Sequence, residues 1–213
     1  MKTSIYLVRH GQTQWNREEI FRGTADVPLN DSGILEARLA GRALKDKPVR
    51  AVYTSPLARA RQTAEAIAGF HGLEVAVLEG LKDLCFGKWQ GVSHRTVRER
   101  YPELYRQWLE RPDKVSFPEG ESLGALQSRA VEAVKGLIPK HPEQTIVIVS
   151  HRVVNRALIC GLVGIDLSRF WQIGQDTAAI NLLTWRKGRF ILTCLNDTCH
   201  LRELEGERVR VDF

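Results

Sequence analysis

The 213-residue chain reads as an α/β fold, with a mostly parallel sheet between helices on both faces. Two observations predict this. Short apolar runs alternate with amphipathic stretches of helical length along the chain. Two of those runs, Ile5 to Val8 and Ile146 to Val149, are each followed by a histidine, in Arg9-His10-Gly11 and in Ser150-His151. Strands that deliver histidines at their C-terminal ends point to one site, because open α/β sheets bind ligands outside those ends.

The elements follow in chain order. Ile5 to Val8 is a buried strand. Leu35, Leu39, Ala43 and Leu44 form a helical stripe after a turn at Asn30 to Gly33, and read as a core face. Ala51 to Tyr53 is a second strand. Thr54 to Thr63 follows it, with Pro56 suited to the first turn of a helix and Arg59 early in that helix. Between Leu84 and Glu119, Trp89, Tyr101, Tyr105, Trp108 and Phe117 stand among many charges. That segment is expected to be mostly helical and to lie over the strand ends. Most of its rings serve ordinary packing, and one or two face the pocket.

Leu123, Leu126, Ala130, Val134 and Leu137 form a further core stripe, with Ser122 as N-cap. Val153 to Leu162 is a helix directly after His151. Ala179 to Leu183 and Phe190 to Leu195 are late strands, paired as a hairpin about the Arg186 to Arg189 turn. No repeat, low-complexity stretch or linker interrupts the chain, so residues 1–213 are read as one domain.

Composition narrows the function classes. With 43% hydrophobic and 26% charged residues, a chain of this length buries a full core without disulfide staples. No apolar stretch reaches membrane-spanning length, and Met1-Lys2-Thr3 passes straight into a strand without a secretory signal. A cytoplasmic protein with no membrane partner is expected. The net charge of +6 comes from scattered basic residues with no aromatic ladder. This argues against nucleic acid and for a basic pocket that attracts an anionic substrate. Cys85, Cys160, Cys194 and Cys199 form no CxxC pair and read as reduced, mostly buried thiols. A metal at Cys194, Cys199 and His200 is the alternative.

The two strand ends carry chemistry. A neutral imidazole can attack phosphorus, and a guanidinium can hold phosphate oxygens through two parallel hydrogen bonds. One Arg-His-Gly tripeptide is more often incidental than reactive. The second strand with its histidine, and the segment that supplies Arg59, make it a candidate phosphate site.

Several blocks now stand in order: Val8-Arg9-His10-Gly11-Gln12-Thr13-Gln14-Trp15-Asn16, Leu29 to Gly33, Ser55-Pro56-Leu57-Ala58-Arg59-Ala60, Phe86-Gly87-Lys88-Trp89-Gln90-Gly91, Gly120-Glu121-Ser122 and Val149-Ser150-His151. Together they resemble the histidine phosphatase superfamily, also called the phosphoglycerate mutase-like family, over roughly residues 4 to 160. The resemblance implies a three-layer phosphoglycerate mutase-like fold with a small helical cap inserted at about 84–119. It implies a metal-independent phosphomonoesterase that needs no cofactor and hydrolyses a small phosphorylated metabolite through a phosphohistidine.

By the same resemblance His10 is the nucleophile. It must be neutral, so its second nitrogen is expected to donate to a backbone carbonyl. Arg9, Arg59 and His151 surround the transferred group, with His151 cationic in the phosphate complex. The helix start after His151, including Arg152, favours the same anion. Asn16 matches a position whose amide reaches phosphate, and capping a turn is its alternative role. Arg22 and Gly23 border the pocket; a solvated Arg22 is the alternative. Arg61, two residues past Arg59, reads as a surface residue. The family's general acid is a glutamate. Here Asp83 holds its place, one methylene shorter, with Glu79 as alternative.

Gly164 to Trp171 and Leu195 to Leu201 resemble metal-independent phosphoserine phosphatases, and nearly as much alpha-ribazole phosphatases. Phe86 departs from the phosphoserine branch, which has histidine there, and makes the pocket more apolar. The chain is short for a mutase, and an open pocket favours hydrolysis. A phospho-ligand-binding module weakened by Asp83 is the reading from another class. A homodimer is left open.

Overall fold

The computed structural model describes residues 2–204; residue 1 and the last nine residues of the expected domain lie outside it. The strands are β1 (Lys2–Arg9), β2 (Val49–Thr54), β3 (Val75–Val77), β4 (Thr145–Ser150), β5 (Ile180–Arg186) and β6 (Arg189–Asp197). The α-helices are α1 (Gln14–Arg17), α2 (Asp31–Leu44), α3 (Ala58–Gly69), α4 (His94–Arg100), α5 (Pro102–Glu110), α6 (Leu123–Lys135) and α7 (Arg152–Val163). Among the described residues no helix is long and apolar enough to cross a membrane.

All six strands form one sheet in the order β3-β2-β4-β1-β5-β6. β3, β2, β4 and β1 run parallel, and the β5–β6 hairpin adds an antiparallel edge. The strand rule of two then sorts side chains to opposite faces. On β4, Ile146 and Ile148 pack with α6 and α7, whereas Val147 and Val149 pack with α2 and α3. Three layers result, as expected. β1 and β4 are direct neighbours, with Arg9 opposite Ser150, so His10 and His151 leave the sheet side by side.

α6 buries the expected stripe, and Ser122 Oγ accepts from Ala125 N–H as its N-cap. α7 follows His151 directly and ends on Gly164 in the left-handed conformation. It is buried on almost every side, which is why its sequence lacks a clean polar face.

α2 departs from the expected stripe. Leu35 is exposed, and the buried positions are instead Gly33, Glu36, Ala37, Ala40, Gly41 and Leu44. Small residues win this face because α3 lies close: a Cβ on Gly41 would stand 2.7 Å from the Phe70 ring. Pro56 also departs from expectation. The N-cap of α3 is Leu57, so Pro56 precedes the helix, and Arg59 is its second residue. Of the four thiols only Cys160 is buried, against the expectation that most would be. Among the described residues no group of His, Cys, Asp or Glu could hold a metal ion.

Residues 84–119 carry α4, α5 and short 3-10 turns. Trp89, Trp108 and Phe117 are buried there, and the Phe86, Trp108 and Phe117 rings meet edge to face at 5.0–5.9 Å. The segment continues the α6–α7 core rather than forming one of its own.

Candidate active site

The loop after β1 is held by close backbone approach. A Cβ on Gly11 would lie 2.4 Å from the Gly33 carbonyl oxygen, and one on Gly33 would lie 2.0 Å from the Gln12 oxygen. Only glycine fits either place. Gly11 N–H donates to Thr63 Oγ1, and Gln12 N–H donates to the buried Glu36 carboxylate. Glu36 in turn accepts from Thr177 Oγ1, and so joins α2 to the loops on both sides of His10. This explains a carboxylate on a buried helix face.

His10 is 1% exposed, and its Nδ1 lies 2.6 Å from the Gly11 carbonyl oxygen. A carbonyl only accepts, so Nδ1 carries the proton and the neutral ring leaves a bare lone pair on Nε2. Nε2 is buried and has no hydrogen-bond partner among the described residues. Burial, then the charges of Arg59 and Arg9, hold His10 well below the ordinary histidine range, which keeps the ring neutral.

The His151 ring stands edge-on to His10, with centroids 5.2 Å apart. Its Nδ1 accepts from Arg59 Nε at 3.2 Å, so Nε2–H faces Ser55 Oγ at 2.7 Å. Burial, then Arg59 and His10, push His151 well below the usual range too. The structure therefore has His151 neutral; the cationic form expected in the phosphate complex needs the anion to oppose Arg59.

Both arginines are buried and held by backbone. Arg9 donates through Nη1 to the Gln175 carbonyl oxygen, and its Nε has no partner among the described residues. Gln175 is fixed by a buried amide network with Asn155 and Asn181, and Asn181 returns to the Leu7 carbonyl oxygen. Arg59 donates to the Ala25 and Gly23 carbonyl oxygens, to His151 and to Asp83 Oδ2 at 3.0 Å. Gly23 thus reaches the site through its carbonyl. It has φ +52°, and a Cβ there would meet Gln90 Oε1 at 2.2 Å.

Asp83 Oδ2 also lies 3.6 Å from His151 Nδ1, while Oδ1 accepts from Leu84 N–H. Asp83 lines the pocket beside the histidines and also an outer depression; Glu79 is exposed and lines that depression but not the pocket. Sequence reasoning missed Arg129, which clamps the Asp83 segment by donating to the Gly80, Lys82 and Asp83 carbonyl oxygens. Its partner Glu121 takes it bidentately at 2.7 and 2.8 Å, which accounts for the Gly120-Glu121-Ser122 block. Glu121 was thus signalled in the sequence, and Arg129 was not.

Asn16 is buried, and its Oδ1 accepts from both Thr13 N–H and Thr13 Oγ1. The turn-capping role is therefore present. It leaves the amide nitrogen as the donor end. Arg61 is a surface residue facing Glu65, as expected.

The pocket has an empty volume of about 490 Å³, counting its open mouth. Asp83, Arg22 and Arg152 supply its charges; Phe21, Phe86, Trp108 and Trp171 supply most of its walls. Phe86, His94 and Trp108 are thus the rings of 84–119 that line it. Trp89 and Phe117 are core only. His94, not singled out in the sequence, stacks on Phe21 at 3.8 Å. Burial, then Arg152 and Arg22, push it down to about 3.

Comparison with known proteins now adds to this geometry. Residues 5–198 match the model of the histidine phosphatase superfamily (branch 1). The chain belongs to that superfamily. It is 37% identical to phosphoserine phosphatase 1 of Hydrogenobacter thermophilus, over 95% of this chain and 96% of that protein. Among solved structures, Bacillus stearothermophilus YhfR superposes with a TM-score of 0.90 at 29% identity, over 94% of this chain and 100% of that one. A phosphoserine phosphatase mutant from Entamoeba histolytica, in complex with phosphoserine, gives 0.85 at 30% identity, over 93% and 99%. The chain is a phosphatase that hydrolyses phosphate monoesters.

Proposed function

We propose that the enzyme needs no metal and works through a phosphohistidine on Nε2 of His10. The observation that carries this reading is the fixed tautomer: Nδ1 bound to the Gly11 carbonyl, and Nε2 bare and buried within an arginine-lined site. The Nε2 lone pair forms a bond to phosphorus as the ester P–O bond breaks. The bound phosphoryl oxygens take Arg59 from the Asp83 carboxylate, Asp83 takes up a proton from solvent, and it gives that proton to the departing oxygen. Water then loses a proton to Asp83 and attacks phosphorus, the N–P bond breaks, and inorganic phosphate leaves. One hard displacement becomes two easier ones.

Arg9, Arg59, His151 and the amide of Asn16 hold the equatorial oxygens, whose charge grows in the transition state. An anion there also opposes the field that keeps His151 neutral, so His151 takes up a proton as the phosphoryl group binds. The segment 84–119 acts as a cap that gives the leaving group its aromatic wall. The substrate is a small phosphorylated metabolite, as the names of the relatives suggest.

The test is p-nitrophenyl phosphate hydrolysis in excess EDTA. Full activity is expected. Loss that magnesium restores would replace this mechanism with a metal-assisted one.

A further inference from the structure

Asp83 sits on backbone that no regular element holds. Residues 82–86 belong to neither helix nor strand, and follow the 3-10 turn Glu79–Leu81. A carboxylate there has no ladder of backbone hydrogen bonds to fix its height above the pocket. Its side chain is also one methylene shorter than glutamate. The placement of this segment therefore decides whether the carboxyl meets the leaving oxygen.

Side chains supply the missing support. Four consecutive carbonyl oxygens, from Gly80 to Asp83, each accept from a side-chain donor. Ser150 Oγ donates to Leu81 at 2.9 Å. Arg129 donates through Nη1 to Gly80 at 2.9 Å and to Lys82 at 2.7 Å, and through Nη2 to Asp83 at 3.3 Å. Its Nε and Nη2 hold the two Glu121 oxygens at 2.7 and 2.8 Å. Glu121 in turn donates its N–H to the Cys85 carbonyl oxygen at 2.8 Å. That approach needs Gly120, where a Cβ would stand 2.5 Å from the same oxygen. Arg129 and Glu121 thus close on the segment from both sides of Asp83.

The clamp spends every N–H of the guanidinium, because a guanidinium has five donors and Arg129 has five acceptors. None is left for a substrate. Arg129 lines the outer depression and not the pocket, so its route to the reaction runs through Asp83. Resting on Asp83 as the acid, we infer that Arg129, held by Glu121, is the positioning residue that sets the Asp83 carboxyl against the leaving oxygen. A misplacement of about 1 Å at such a group can cost about 10²-fold in rate.

The experiment reads kcat and KM for p-nitrophenyl phosphate and for an alkyl ester, the faster of O-phosphoserine and glycerol 3-phosphate. The variants are Arg129→Met, Arg129→Lys and Glu121→Gln, with Arg129→Met also combined with Asp83→Asn. The alkyl ester needs a proton on its leaving oxygen, and p-nitrophenyl phosphate needs little help. Arg129→Met is expected to lower kcat for the alkyl ester by about 10- to 100-fold and for p-nitrophenyl phosphate by less than about 3-fold, with KM little changed. Lysine keeps the charge but has only three donors, so Arg129→Lys should show the same contrast. Glu121→Gln leaves Arg129 in place and should show it more weakly, which keeps the test open if the Arg129 variants fold poorly. In the Asp83→Asn background, Arg129→Met should add no further loss, because the two act as one unit. Equal slowing of both esters, full activity in Arg129→Lys, or a further loss in the combined variant would overturn the inference. Equal slowing of both esters by Asp83→Asn alone would instead remove the acid assignment, and the inference with it.

Discussion

At the phosphate end of the pocket, Arg9 rests on Gln175, His10 on Gly11, and Arg59 on Gly23 and Ala25, in each case through a backbone carbonyl. At the leaving-group end, Phe86, Trp108 and Trp171 hold one another by ring contacts at 5.0–5.9 Å. The first end is costly for the fold, since it buries cations and an imidazole nitrogen without a partner among the described residues. The second contributes apolar burial, about 25 cal/mol for each Å² removed from water. Activity is therefore concentrated at one end of the pocket and stability at the other.

Substitutions should separate the two. His10→Ala removes the nucleophile and is expected to lower kcat/KM for every ester by about 10⁴-fold or more. Its unfolding free energy should stay the same or rise, because a buried unpaired nitrogen is gone; a large loss of stability would contradict the division. Asp83→Asn should slow an alkyl phosphate by about 10² to 10⁴. It should slow p-nitrophenyl phosphate far less, because that leaving group needs little protonation. Equal slowing of both would remove Asp83 from the acid role.

Trp108→Ala should act the other way. A cavity in place of a buried indole costs about 3–5 kcal/mol, read by chemical denaturation. A loss below about 1 kcal/mol would mean that the ring wall carries little of the fold. Gly33→Ala sets a methyl against the Gln12 backbone and should cost about 1–3 kcal/mol. It should also lower turnover, since the His10 loop must shift; unchanged kinetics would show that this close approach does not position His10.

The pH dependence tests the same buried end without a substitution. Burial and the neighbouring guanidiniums hold His10 and His151 well below the ordinary histidine value of 6.5. Below that pH the unfolded chain binds protons that the native rings refuse. Stability should therefore fall as pH drops from 6.5 towards about 5, by up to about 1.4 kcal/mol per pH unit for each ring. The acid limb of kcat/KM should lie below the ordinary histidine pKa for the same reason. A flat denaturation profile over that window would mean that both rings titrate in the fold as they do in the unfolded chain.

The same division decided what the sequence could tell. His10, Arg9, Arg59 and His151 lie within two residues of a strand or helix end, so local pattern and chain order placed them. Their supports did not show, because Gln175 lies 166 residues from Arg9 and Arg129 46 residues from Asp83. The α6 stripe was legible because its face is filled by large apolar side chains. The α2 face was not, since close packing on α3 selects glycine and alanine and leaves Leu35 outside. For the rings of 84–119, composition showed that they pack, but only the fold distinguishes Trp108 at the pocket from Trp89 in the core.

On the mechanism proposed above, His10 Nε2 carries the phosphoryl group during turnover. Rapid quench with a ³²P-labelled ester tests it most directly. A transient phosphoprotein that is acid-labile and stable in base is expected, with the label on His10, and no such species in His10→Ala. Full turnover without a labelled protein, or label that persists in His10→Ala, would contradict it.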